Sequence, residues 1–148
     1  VFLLGYATSG AIAYDAFFKF SAIGLDCHFT PDSHVSAVQL GEAAEGDVIF
    51  AVSHSGETRD VVVPAKRVCP PAKLIALTGN ADSQLGKAAD LCITTTSEEM
   101  NYRSDAIISR VVEITIVGTI FAALSVRRGA SGRERLKHTR QALSYLKY

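Results

Sequence analysis

Disulfide chemistry has little to work with in this sequence of 148 residues: its three cysteines, Cys27, Cys69 and Cys92, form no CxxC pair and leave one over after any pairing. That excludes a disulfide framework and a cysteine zinc site, and it fits a reduced, cytoplasmic setting. An excess of charge of either sign is also missing, since 15 Lys and Arg balance 15 Asp and Glu. No global charge therefore draws the whole domain to nucleic acid or to a membrane surface. The first residues carry no signal-peptide pattern, so no secretion is expected. The longest apolar run, Val111 to Val126, is interrupted by Glu113 and falls short of the roughly 18 to 20 residues of a bilayer span. It is expected to be a buried helix, with no membrane partner. Internal repeats and low-complexity linkers are absent, so residues 1–148 read as one domain. What is present is the composition of a packed domain rather than of a disordered chain, with 48% hydrophobic and 20% charged residues. Because Val1 to Leu4 already read as a core strand with no methionine before them, the chain is expected to be a fragment of something longer.

Strand and helix patterns alternate. Val1–Leu4 is a short apolar run ending at Gly5, and Ala11 to Ile23 carries Ile12, Ala16, Phe20 and Ile23 at helical spacing. Asp26 to Thr30 alternates weakly and reads as a second strand, after which Asp32 or Ser33 can cap a helix through Ala43. Val48–Val52 is β-branched and uninterrupted, as a strand covered on both faces should be. The helix after it, from about Glu57, should kink or end near Val63 because Pro64 follows. Leu74–Thr78 is a further strand, Ser83 can cap a short helix through Ala88, and Leu91–Thr94 is a short fifth strand. A long apolar helix is expected over Ser104–Arg128 and a basic one between Ser131 and Lys147. The pattern predicts an α/β fold: a doubly wound, five-stranded parallel sheet of order 2-1-3-4-5 flanked by helices.

In such a sheet, ligands bind beyond the carboxyl ends of the strands where the strand order reverses, here between the first and third strands. The turns at these ends are rich in hydroxyls and glycine: Gly5-Tyr6-Ala7-Thr8-Ser9-Gly10, Ser53-His54-Ser55-Gly56-Glu57-Thr58 and Thr78-Gly79-Asn80. Small residues at a helix N-terminus let an anion approach free N–H groups and the positive end of the helix dipole. The only cation in these turns is Arg59, just past the second, and neither GxxxxGK[ST] nor GxGxxG occurs, which disfavours a nucleotide triphosphate with magnesium. What remains is a single phosphate held by dipoles and hydroxyls. No metal or cofactor is expected.

These residues resemble the SIS (sugar isomerase) domain of phosphosugar isomerases and of RpiR-type bacterial transcription regulators, over nearly the whole chain. The family's S-x-S-G-x-T turn is met by Ser53, Ser55, Gly56 and Thr58; its G-x-G-x-S turn by Gly5 and Ser9, with Ala7 departing. Thr78 with Ser83, Ala89-Asp90-Leu91, and Glu98-Glu99 before the long helix complete the order. The resemblance implies a phosphorylated sugar or amino sugar as ligand, held by Thr8, Ser9, Ser53, Ser55, Gly56 and Thr58, with Glu99 towards the sugar.

Isomerisation of an aldose to a ketose needs a base and usually a ring-opening acid. Glu99 or Glu98 could serve as base and His34 or His54 as acid, although His54, as the variable position of its motif, is expected to point away. Where glucosamine-6-phosphate-forming relatives carry a lysine seven residues after the glutamate, Ala106 stands here. The stretch from Glu98 through Arg103, Ser109 and Arg110, with the basic final helix, resembles the RpiR regulators more closely. In those proteins the SIS domain is the C-terminal effector-binding half, behind an N-terminal helix-turn-helix domain. The expected function is phosphosugar sensing; the alternative is an isomerase with Glu99 as general base. The apolar residues of the long helix exceed what one face against one sheet needs, so a homo-oligomer, dimer or tetramer, is expected. From Arg127 onward seven basic residues stand against Glu134 alone; they read as a solvated helix face or subunit contact, with phosphate-backbone contact the sharper possibility.

Overall fold

The computed structural model describes residues 1–68, 71–95 and 105–146. Strands β1 (Phe2–Leu4), β2 (Val48–Val52), β3 (Lys73–Thr78) and β4 (Leu91–Thr94) form a parallel sheet in that order, with Leu4 beside Ala51 and Ala76 beside both Ala51 and Cys92. The helices are α1 (Ala7–Ala22), α2 (Ser33–Leu40), α3 (Arg59–Val68), α4 (Gln84–Ala88), α5 (Asp105–Arg127) and α6 (Gly129–Ser144). Alternate residues of β1 and β2 feed two cores. Leu4, Ile49 and Ala51 pack with Leu40, Val61, Ala65 and Leu85 from α2, α3 and α4. Leu3, Phe50 and Val52 pack with Ile12, Ala16 and Phe20 of α1 and Val117 of α5. Burial on both faces explains why β2 is an unbroken apolar run.

The sheet has four described strands, not the five expected. The segment at Asp26–Thr30 lies beside β1, where the second strand should be, but touches it at one point. Leu3 donates its N–H to the His28 carbonyl and His28 donates to that of Val1, each at 2.9 Å. The contact is a single bridge, and Asp32 begins the cap of α2 just beyond the segment.

Several helices also differ from expectation: α2 ends at Leu40 rather than Ala43, and α6 begins at Gly129 rather than Ser131. α1 begins at Ala7 rather than Ala11. α3 begins at Arg59 and continues through Pro64 to Val68. Proline there removes one hydrogen bond, to the Asp60 carbonyl in the first turn, while Val61, Val62 and Ala65 anchor the helix against the sheet. α5 is not a buried helix. From residue 109 onward only Ser109, Glu113 and Val117 are buried, whereas Val111, Ile114 and Val126 are 60%, 45% and 82% exposed. Nor is the segment too short for a bilayer: Ser109–Arg127 is long and apolar enough to cross one by length and composition. In this fold it packs on α1.

Candidate functional site

β1 and β2 end side by side, and α1 and α3 leave them on opposite faces of the sheet. Two helix N-termini, whose first N–H groups have no acceptor within the helix, thus start from neighbouring points at the predicted switch of strand order.

The second turn is built from its own hydroxyls. Ser53 is 1% exposed; its Oγ accepts the Gly56 N–H at 3.2 Å and lies 3.0 Å from Thr58 Oγ1. Ser53 therefore shapes the turn, while Ser55 and Thr58 are exposed around it. Gly56 has φ +66, and a Cβ there would lie 2.0 Å from Ser83 Oγ. That hydroxyl cannot retreat, because it donates to the Asn80 carbonyl at 2.6 Å and caps α4 by accepting the Gly86 N–H at 3.1 Å. Glycine is required on both counts.

The Thr78–Ser83 segment braces the turn from behind. Thr78 Oγ1 donates to the His54 carbonyl at 3.2 Å, and the Gly79 N–H reaches the same oxygen at 2.8 Å. Leu85 donates to the Gly56 carbonyl at 3.0 Å, and Glu57 Oε1 accepts the Gln84 N–H at 2.9 Å. Asp90, from the Ala89-Asp90-Leu91 match, is structural as well. Its carboxylate takes the Lys73 ammonium at 2.8 Å and the Leu74 N–H at 2.9 Å, which sets the start of β4 against β3 and holds the carboxyl below its ordinary range.

In the first turn Thr8 is exposed and Ser9 partly so. Gly5 is needed for close approach, since a Cβ would meet the Ser9 carbonyl oxygen at 2.7 Å. Ala7, which departs from the family pattern, has φ 51. It occupies the left-handed region where glycine carries no penalty.

The structure brings Thr8, Ser9, Ser53, Ser55, Gly56 and Thr58 to one end of the sheet. His34 stands elsewhere, on the first turn of α2 with its side chain 99% exposed and 3.8 Å from Asp32. It lines a groove of about 510 Å³ between α2 and α3 with Arg59, Asp60 and Arg67. Glu98 and Glu99 lie outside the described residues. His54 does not point away to solvent: its Nδ1 lies 3.6 Å from Oε1 of Glu113 on α5. Sequence reasoning did not place Glu113 beside this turn, although the acid breaking the apolar run was its signal. Burial raises the Glu113 carboxyl above its ordinary value, opposed by the nearby His54 and Arg110.

A family model described as SIS domain matches residues 1–124. The chain belongs to the SIS domain family. This SIS domain is 39% identical over 149 residues to an HTH-type transcriptional regulator of Thermotoga maritima, an alignment covering 100% of this chain and 53% of that protein. It is 32% identical over 126 residues to the HTH-type transcriptional regulator RpiR of Escherichia coli K12, covering 83% of this chain and 42% of the other. The SIS domain thus spans about half the length of the curated relatives it matches. Among solved structures, the Vibrio vulnificus NanR protein complexed with ManNAc-6P superposes with a TM-score of 0.89 at 20% identity, covering 99% of this chain and 55% of that one. At that identity the likeness establishes the shared fold.

Proposed function

We propose that this SIS domain is the phosphosugar-sensing part of an RpiR-type transcriptional regulator. The observation that carries the reading is the pairing of two hydroxyl-bearing helix N-termini at adjacent strand ends. One of them is locked around Gly56 in a conformation no other residue fits. Thr8, Ser9, Ser55 and Thr58 would surround a phosphoryl group, with Ser53 and Gly56 holding the turn and Glu99 serving the sugar. The HTH-type regulators among its relatives, and the phosphorylated amino sugar held by NanR, support the same reading. In it the domain works in the cytoplasm as a homo-oligomer joined through the outer face of α5. It reaches DNA only through a helix-turn-helix domain of the longer protein. Ligand binding then shifts that protein between two states by its difference in affinity for them.

Calorimetry against a panel of sugar and amino-sugar phosphates tests the proposal. A phosphorylated ligand should bind and its unphosphorylated counterpart should not. At a hundredfold excess over its dissociation constant the ligand should stabilise the fold by about 2.7 kcal/mol. Ser55→Ala with Thr58→Ala should weaken binding by about tenfold or more, the loss of one or two charge-assisted hydrogen bonds. Failure of every sugar phosphate to bind would sink the reading. Turnover of a bound sugar phosphate, abolished by Glu99→Gln, would replace sensing by isomerisation.

A further inference from the structure

The phosphate turn carries no lysine, and its one imidazole is directed at a buried acid. His54 lies over Gly79, where a Cβ would come within 2.8 Å of its Cε1. Its Nδ1 stops 3.6 Å from Glu113 Oε1, and its Nε2 lies 3.5 Å from Ser109 Oγ. The Glu113 side chain is 1% exposed, and among the described residues neither its Oε1 nor the His54 Nδ1 has a hydrogen-bond partner. An acid enclosed in this way costs stability unless it is neutral or fully paired, so a half-made contact inside the domain calls for an explanation. Among the described residues, the other charged group on α5 facing the pair is Arg110. From behind, the β3–α4 turn presents neutral Thr78 and Gly79. Within the loop itself, Glu57 is drawn onto the Gln84 N–H, and Arg59 opens α3.

We infer that His54, positioned by Glu113, is the conditional cation of the phosphate turn. An anion seated at Ser55 and Thr58 draws a proton from solvent onto the imidazole, and the imidazolium closes on the Glu113 carboxylate. Occupancy of the turn is thereby transmitted to α5, the helix whose outer face is left apolar. This rests on the reading of the turn as a phosphoryl site, and it makes His54 and Glu113 positioning residues for that site. A carboxylate and an unprotonated imidazole 3.6 Å apart, next to a bound dianion, form the arrangement in which one added proton offsets both the carboxylate and the dianion.

Inorganic sulfate is the probe, because it stays dianionic where imidazole titrates. Calorimetric titration of the 148-residue chain should show sulfate affinity rising about tenfold as the pH falls from about 8 to about 5.5, one imidazole's proton being taken up with the anion. The rise should vanish in His54→Gln and shift to lower pH in Glu113→Gln. A His54→Gln protein that keeps the full pH dependence, or a Glu113→Gln protein whose pH dependence is unmoved by that near-isosteric change, overturns the inference and leaves the phosphoryl reading standing. If neither sulfate nor any sugar phosphate binds at any pH, the phosphoryl reading falls first and the coupling falls with it.

Discussion

Ala7 concentrates the backbone strain of the first turn in a single methyl group. Its φ of 51 places Cβ against the local carbonyl, which costs about 1 to 2 kcal/mol in an L-residue and almost nothing in glycine. Ala7→Gly should therefore stabilise the domain by about 1 kcal/mol once the entropy of a freer unfolded chain is counted, as read by urea unfolding. Glu113 makes a prediction of opposite character. Burial raises its carboxyl, with His54 the main opposing influence, so the native state holds this proton to higher pH than the unfolded chain does. Stability tied to the neutral acid is complete at low pH and is lost as the pH rises through the raised value. Glu113→Gln should match the parent near pH about 4.5 and exceed it at about 8, as denaturation at the two values will show. These residues also mark what the sequence could reveal. The S-x-S-G-x-T pattern locates the turn, because hydroxyls and glycine before a helix have few other uses together. It does not say that Ser53 faces inward and Ser55 outward, since direction depends on which N–H groups the folded turn leaves unpaired. Glu113 was visible only as a flaw in an apolar run, and nothing local ties a position on α5 to one in the β2–α3 turn.

At the level of elements, capping was legible and edges were not. Asp32 caps α2 as its sequence position suggests, accepting the His34 and Val35 N–H groups at 2.8 and 3.1 Å. The hydrogen bonds from Val35 and His34 hold its carboxyl below the ordinary range. The stabilisation is present above the unfolded carboxyl's value and disappears as the pH falls through the lowered one. Asp32→Ala should lower the melting temperature at neutral pH and converge with the parent in acid, as followed by circular dichroism. The segment at Asp26–Thr30 was read as a strand because weak alternation satisfies the rule for one. Whether a ladder forms depends on how the backbone of the segment runs beside β1, and here it meets that strand in a single bridge at His28. Pro64 misled in the other direction, because the propensity argument counts the lost hydrogen bond but not the tertiary packing of α3.

For the whole molecule, charge and apolar surface are distributed unevenly, and each distribution carries a consequence. Val111 and Ile114 are 60% and 45% exposed on α5, on a face that nothing in the described fold covers. If copies of the chain meet there, Ile114→Asp should shift the population to monomers in chromatography with light scattering and leave the far-ultraviolet spectrum unchanged. A charge in an apolar contact costs more than the packing returns. The parallel sheet flanked by helices and the surplus of apolar residues on the long helix were readable from periodicity. The missing fifth strand was not, because it depends on distances between segments far apart in sequence.

The basic helix α6 is attached quite differently from the other helices. Gly132 is its only buried residue, and it hangs on two carbonyls where α1 ends: Thr139 Oγ1 donates to that of Ala22 at 3.3 Å, and Arg128 Nη2 to that of Gly24 at 3.4 Å. The stem of Arg135 fills the space above Gly24 left by its missing side chain. A flap pinned this way weighs little in the folding of the sheet. It could swing aside at the cost of a few polar contacts, carrying Arg133, Arg135, Lys137 and Arg140 with it while the domain beneath stayed whole.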